Sequence, residues 1–570
     1  MVTYDIYYTT KSRILQYIWQ KISYSFCKYF KRKFCARLVI TTETAEYDGA
    51  VVILLRMVMA ITRKKRFFVN GILLTATSLL LRGVGVAFGA FVTGKMGADG
   101  MGLYTLIMSV YGLAVTAASA GVNLAATRLC AEAIGKDSPA HLRAALRRCL
   151  VWALLCGSIA CTLLFSGAEW VAGRWLGDIR CTRSLRLLAL SLPFIAASNV
   201  LHGYFTAVRR VSRSAASQIF EQLFKMLVCM GAFAHIAPGD IEAACIVLVG
   251  GGALAELASF LFALVLYLID RRHAGNHRET CRIDGKAITR EMFGIILPVA
   301  AAAFARSGLS TLEHMLIPRG LRANPATAET ALASYGVLCG MAMPVVLFPT
   351  ALLYSFTGLL VPEFAEADAR GDRGRIRGMV SRALGMTLIF SIGCAGILGQ
   401  FADELGMLIY KSADAGQFIR VMAPLVPVMY FDHAVDAMLK GLGEQVYSMK
   451  VNILDAALCA ALVWLLCPRI GIWGYVVTIY IAEVVNASLS LWRLAKVTQF
   501  AAGISRSLVR PLAGAAGALA LTRLCGFAVC AGWGQLLLGC IFSAAVYFML
   551  LVLLGAVTRR DLAWAAGVFR

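Results

Sequence analysis

Apolar residues in this chain fall in long blocks separated by short polar stretches. An α-helix needs roughly twenty mostly apolar residues to cross the hydrocarbon core of a bilayer. Lipid offers the backbone no hydrogen bonds, so each block is expected to be a helix. From residue 67 the pattern gives fourteen spans. The first six lie at about 68–92, 103–125, 149–167, 185–207, 215–236 and 243–269. Six more follow at about 291–313, 331–361, 384–402, 416–439, 448–467 and 472–492, and the last two at about 509–529 and 533–557. A membrane β-barrel would show short alternating segments instead. The expected fold class is an all-α polytopic membrane protein.

The polar stretches carry the orientation. With the N-terminus inside, Arg128, Lys136, Arg143, Arg147 and Arg148 share one cytoplasmic loop, and Arg209, Arg210 and Arg213 share the next. From Arg63 onward the cytoplasmic loops and tails hold 32 Lys/Arg against 10 outside. That asymmetry is the positive-inside bias, which an odd number of spans would scramble. Both termini are therefore expected in the cytoplasm. Residues 1–66 differ from the rest, with 13 Lys/Arg against four Asp/Glu and only short apolar runs. Two readings stand: a basic amphipathic arm on the membrane surface, or a true start at Met57 or Met59 that puts Arg63–Arg66 just before the first span.

Composition agrees with the blocks. Of 570 residues, 59% are hydrophobic and only 15% charged, with a mean hydropathy of +0.73. A soluble chain carries nearer a quarter charged residues. The net charge of +23 does not point to nucleic acid, because the cations sit between apolar blocks, where they set topology and meet anionic headgroups. The 17 cysteines contain no C-x-x-C; the closest pairs, Cys156 with Cys161 and Cys525 with Cys530, lie in largely apolar surroundings. They read as small apolar thiols, with no metal site expected. Glycine clusters such as Gly250-Gly251-Gly252 lack a following Gly-Lys-Ser/Thr, so no ATP hydrolysis and no bound cofactor are expected.

The chain resembles itself at an offset of 234. Ala131-Glu132-Ala133 matches Ala365-Glu366-Ala367; Arg143, Arg148 and Leu150 match Arg377, Arg382 and Leu384; Pro193 matches Pro427 and Glu221 matches Asp455. The expected organisation is a basic N-terminal extension (1–66), an N-lobe of spans 1–6 (67–270), a cytoplasmic linker (271–290), a C-lobe of spans 7–12 (291–495), and spans 13–14 with a short tail (496–570). Repeats of this kind in transporters flank a central cavity with the substrate near the midplane.

Several motifs together resemble one family. They are Lys95-Met96-Gly97-Ala98-Asp99-Gly100-Met101-Gly102-Leu103-Tyr104 after span 1, Ser217-Gln218-Ile219-Phe220-Glu221-Gln222 with Lys225 in span 5, and Ile317-Pro318-Arg319-Gly320-Leu321 after span 7. Span 8 adds Tyr335-Gly336-Val337-Leu338, Gly340-Met341-Ala342-Met343-Pro344 and Leu360-Val361-Pro362; Gly441-Leu442-Gly443 with Asn452 leads into span 11. Over about residues 65–560 the chain is similar to the stage V sporulation protein B-like polysaccharide biosynthesis flippases of the multidrug/oligosaccharidyl-lipid/polysaccharide (MOP) exporter superfamily. The resemblance implies a two-lobed, V-shaped, MATE-like fold. It also implies translocation of an undecaprenyl-linked cell-wall precursor, such as lipid II, across the bacterial cytoplasmic (inner) membrane, with the spore cortex as one destination. Where family members usually carry an arginine further along span 1, this chain has Ala87-Phe88-Gly89; Lys225 stands for arginine, and Glu313 for aspartate.

A flippase makes no covalent bond, so no catalytic residue is expected. It needs cations for a diphosphate and a slot for the polyprenyl tail. Ionisable residues inside spans are costly and mark function by default. Arg82 in span 1 and Arg306 in span 7 are the candidate diphosphate clamp, through paired guanidinium hydrogen bonds; each would otherwise pair with an acid in its own lobe. Glu221 and Lys225, four apart, are expected to pair as a latch, and Glu313 with His314 reads as an outer gate, an ion site or a solvated helix end. Asp432 and Asp436 share a face of span 10, and with Asp455 form the candidate site for a coupling Na⁺ or H⁺; Arg420 or Lys440 would otherwise satisfy them. Expected partners are the lipid-linked substrate, anionic phospholipids and cell-wall synthesis proteins around a monomer, without nucleic acid. A cation-coupled drug antiporter of the same fold, a membrane glycosyltransferase and a transport-dead scaffold are the competing readings. Short outer loops argue against the glycosyltransferase.

Overall fold

The computed structural model describes residues 48–135, 138–208, 210–236, 240–273, 285–324, 330–500, 508–526 and 532–557, with backbone alone for 48–78. Most of the basic extension, part of the linker and the C-terminal tail thus lie outside the described residues. The chain divides into two compact units, Met1–Arg66 and Phe67–Arg570; the helical bundles belong to the second.

Among the described residues every regular element is a helix. The first group is α1 Asp48–Ser119, α2 Val122–Gly135, α3 Pro139–Trp170, α4 Cys181–Ala189, α5 Leu192–Ala207, α6 Val211–Phe233 and α7 Ile241–His273. The second begins with α8 Gly285–Ala323, α9 Ala331–Tyr335, a π-helical segment Gly336–Ala342, α10 Met343–Leu347, α11 Thr350–Ala369 and α12 Arg373–Gln400. It continues with α13 Ala402–Leu405, α14 Ala413–Met422, α15 Val426–Gly441, α16 Gln445–Ile470 and α17 Ile472–Thr498, after which come α18 Arg510–Leu524 and α19 Trp533–Leu553.

All fourteen apolar blocks fall on helix, but the helices are less uniform than the blocks. Among the described residues nine are long and apolar enough to span a bilayer, or ten if the pair α4 and α5, bent by 43°, counts as one. The remainder have physical reasons to fall short of that test. Expected spans 1 and 2 merge into the single helix α1, interrupted where Gly97 takes φ 71°, and the apolar stretch Leu79–Ile134 runs on into α2 across a turn at Gly121, φ 76°. Expected span 8 is split, with a π-helical turn and a break at Phe348–Pro349. Helix α6 carries Glu221 and Lys225, and α18 has only 15 residues. Helix α8 runs ten residues past the expected end of span 7, through Pro318; packed neighbours let a membrane helix tolerate proline.

Helix packing sorts into two bundles. In the first, α2, α3 and α5 pack together and α7 holds α4, α5 and α6. In the second, α16 lies between α8 and α17, while α15 packs on α11, α12 and α17. Between them, α8 rests against α2 and α3, with Thr311 Oγ1 donating to the Ser109 carbonyl at 3.1 Å. Helices α18 and α19 pair with each other and attach to α12. There Tyr547 donates to the Ile389 carbonyl at 2.8 Å, and its ring fills the space that a side chain at Gly393 would need.

Charged groups at the helix ends are neutralised locally. Asp270, buried near the end of α7, accepts from the Tyr204 hydroxyl at 3.2 Å and pairs with Arg213 at 3.1 Å and with Arg210. Removing one partner of a buried ion pair costs roughly 3–5 kcal/mol, and half-exposed arginines place this site at the low end. Asp270→Ala is therefore expected to lower the melting temperature in detergent. An unchanged melting curve would show the pairing to be energetically idle.

Candidate functional site

The break in the second bundle positions the first candidate. At Phe348–Pro349 the Ala351 N–H turns to the Phe348 carbonyl at 3.4 Å, which leaves the Leu347 carbonyl without its helical donor. Buried backbone acceptors need a partner. Arg82, reaching across from α1, donates to that carbonyl and to Thr350 Oγ1; Thr350 Oγ1 also donates to Leu347 at 2.6 Å. The neighbouring Val346 carbonyl accepts from the buried Tyr430 hydroxyl at 2.8 Å. The Arg82 guanidinium stands 5.5 Å from the centre of the Tyr354 ring, a cation–π distance. Tyr354 in turn meets His433 Nε2 at 3.3 Å.

Arg306 lies in α8, exposed and without a hydrogen bond or ion pair to any described residue. His433 is within electrostatic range of both Arg82 and Arg306, and Arg306 is also in range of Asp455. The two guanidiniums, one per bundle, thus both lie within electrostatic range of His433 on α15. Thr350, Tyr354 and the Leu347 carbonyl were not singled out from the sequence. The only signal was polar residues following Pro349 in an otherwise apolar block.

Glu221 and Lys225 lie within electrostatic range of each other but form no ion pair at contact distance. Lys225 lies within electrostatic range of Tyr104 and 6.0 Å from the centre of the Phe88 ring. Glu221 reaches Ser259 and Glu256. All these contacts stay within the first bundle. Glu313 is half-buried inside α8, within electrostatic range of Tyr475 and Asp455. His314 meets the Tyr335 hydroxyl at 2.9 Å.

The span 10 acids separate. Asp436 is bound by Lys440 at 2.5 Å and accepts from Ser448. Asp432 accepts from Asn486 at 3.4 Å and lies near Ser490. One oxygen of Asp432 and one of Asp455 have no partner among the described residues. Glu483, in range of both, completes an acidic chain from α8 across α16 and α17 to α15. These acids are strung out: among the described residues no three His, Cys, Asp or Glu side chains are grouped to hold a metal.

A second junction between the bundles lies where α1 bends. Gly102 of α1 packs on the Leu332 carbonyl of α9, Gly336 packs on the Ala98 carbonyl and on the Gly102 amide, and Gly340 on Met101. Backbone meets backbone here, with no room for a side chain. The two glycine motifs at 95–104 and 335–344 are thus the two halves of one seam.

Paired bundles with charged groups buried between long apolar helices define a multi-pass membrane protein. The chain belongs to the polysaccharide biosynthesis protein family, whose model matches residues 67–368. It is 25% identical over 518 residues to stage V sporulation protein B of Bacillus subtilis strain 168, covering 87% of this chain and 97% of the relative. Its fold is similar to that of the lipid II flippase MurJ in an inward closed conformation. There the TM-score is 0.63 at 12% identity, with 84% of this chain and 98% of that one covered. It is also similar to an inward-facing multidrug resistance MATE family transporter of the MOP superfamily. The TM-score is 0.60 at 14% identity, with 75% of this chain and all of that one covered.

Proposed function

We propose that this protein is a flippase that moves an undecaprenyl-linked cell-wall precursor across the bacterial cytoplasmic membrane by alternating access, with spore cortex peptidoglycan as one destination. The observation that carries this reading is that Arg82 and Arg306, from opposite bundles, both lie within electrostatic range of His433. A diphosphate is the headgroup element that two guanidiniums bind best, because each can offer a fork of parallel hydrogen bonds. The Arg82 contact to the Leu347 carbonyl then serves as a resting partner, exchanged for phosphate when substrate enters. The polyprenyl tail stays in lipid. The two termini lie in the cytoplasm, as the distribution of Lys and Arg requires. No covalent chemistry is needed, and the protein acts as a transporter rather than an enzyme.

Lys225 over Phe88 supplies a cation close to where the family pattern has its further arginine, so the first bundle keeps a positive interior. In the second, Asp432, Asp455, Glu483 and Glu313 form the coupling path. Their dispersal suits a proton relay between successive carboxyls better than a single Na⁺ cage. The same acids favour the second reading, a cation-coupled drug antiporter, whose cargo would seek negative charge.

Reconstitution in liposomes with fluorescent lipid II, and separately with a dye cation, tests both. The expected result is lipid II movement without dye transport. Dye transport alone would replace the first reading with the second. Under an imposed pH gradient, Asp432→Asn and Asp455→Asn are expected to abolish gradient-driven accumulation while leaving equilibrium exchange of lipid II intact. Full gradient response in both variants would remove the acids from coupling.

A further inference from the structure

A basic pocket opens between the bundles at the end where α3 and α8 begin, away from the Arg82–Arg306 site. It has a volume of about 680 Å³ and is lined by Arg148, Gly285, Lys286, Thr289, Arg290 and Phe293. Arg148 belongs to the first bundle and the rest to the second. Arg148 Nε donates to Thr289 Oγ1 at 3.2 Å, and Nη1 donates to the Ala144 carbonyl at 3.2 Å. Its outer amino group lies against the backbone of Gly285, in the space where any other residue would carry a Cβ. Arg290 is exposed, with no hydrogen bond or ion pair to any described residue. Among the described residues three cations line this pocket and no carboxylate does. Beside it the rings of Trp152 and Phe293 meet edge to face at 4.7 Å, again across α3 and α8.

We propose that this pocket binds the phosphate of an anionic membrane phospholipid, and that the lipid bridges the two bundles at this end. Cations around the phosphate and aromatic rings beside them match a headgroup with the start of its acyl chains. A free phosphate would use only the cations. Basic pockets between transmembrane helices on the cytoplasmic side are the expected place for such headgroups. Arg148 and Arg290 come from different bundles, so one bound phosphate ties them together, and rocking of the bundles must break or reshape that tie. The site therefore makes the conformational equilibrium depend on the anionic lipid content of the membrane. It does not depend on which cargo the protein carries.

The test is binding of fluorescent phosphatidylglycerol to the purified full-length protein in neutral detergent, with phosphatidylcholine and inorganic phosphate as comparison arms. Near a membrane surface each Lys or Arg contributes about 1 kcal/mol to anionic lipid binding, which is about fivefold in affinity. Arg148→Gln and Arg290→Gln are each expected to weaken binding about fivefold, and together about twenty-five-fold. Phosphatidylcholine should bind the native protein and the double variant alike. Inorganic phosphate should fail to displace the labelled lipid. Gly285→Leu keeps every charge but evicts the Arg148 guanidinium, and should weaken binding as Arg148→Gln does even if the double variant folds poorly. Equal phosphatidylglycerol affinity in the native protein, the charge variants and Gly285→Leu would overturn the proposal. Displacement by inorganic phosphate would reassign the pocket to a soluble phosphate group and overturn the lipid assignment.

Discussion

Arg306→Ala is expected to slow lipid II translocation at least about tenfold, and the Arg82→Ala, Arg306→Ala pair by about a thousandfold, in protein that still inserts and folds. A hydrogen bond to a charged group contributes roughly 1.5–3 kcal/mol, and each 1.4 kcal/mol is tenfold in rate. Arg306 makes the cleaner test, because no described residue depends on it for a partner. Arg82→Ala removes a donor from the Leu347 carbonyl, but Thr350 Oγ1 still donates there at 2.6 Å, so local structure should survive. Arg82→Lys keeps the charge and loses the planar fork, and should fall between wild type and alanine. The measurement is the initial rate of fluorescent lipid II becoming accessible to reduction in the opposite leaflet. Unchanged flipping in the double variant would remove the diphosphate clamp from the mechanism.

Gly336→Val is expected to pry the two bundles apart at the glycine seam. A side chain there would collide with the Ala98 carbonyl and the Gly102 amide, which are backbone atoms and cannot rotate away. Overpacking of this kind costs typically about 1–3 kcal/mol, enough to shift the balance between closed and open forms about five- to hundredfold. Cys339 sits in the same π-helical turn, half-buried. In Gly336→Val its thiol should react faster with a membrane-impermeant maleimide, read on the labelled peptide by mass spectrometry, and transport should fall in parallel. Gly102→Val, which would strike the Leu332 carbonyl, is expected to do the same. Native labelling and native transport in both variants would show that close packing at the seam does not control access or transport.

The helices were legible because a bilayer leaves so few options. A block of apolar residues long enough to cross hydrocarbon has to satisfy its own backbone, and all fourteen blocks are helical. What the blocks could not convey is continuity. The polar stretch with Lys95 and Asp99 separates expected spans 1 and 2 in the sequence, yet the helix runs through it with only a kink at Gly97, φ 71°, and nothing in the hydropathy of span 8 announces a break at Phe348–Pro349. Both irregularities depend on what packs alongside: Tyr430 and Arg82 satisfy the freed carbonyls of the break, and Gly102 and Gly336 let the kinked segments touch.

The candidate site divides the same way. Costly charges such as Arg82, Arg306, Asp432 and Asp455 stand out in any apolar block. Their partners do not, since Lys225 is as close in sequence to Glu221 as Lys440 is to Asp436, yet only the second pair forms an ion pair. Helical spacing permits such a pair, and neighbouring helices decide it: Tyr104 and Phe88 of α1 draw Lys225 away.

The sequence alone determined that the chain lives in a membrane, that its elements are helices, and which charges are too expensive to be accidental, because transfer to hydrocarbon penalises each residue by its own chemistry. Only the tertiary structure decided which helix ends meet at the glycine seam, which carbonyl Arg82 answers, and that α3 and α8 enclose a basic pocket, because those outcomes depend on contacts between residues hundreds of positions apart.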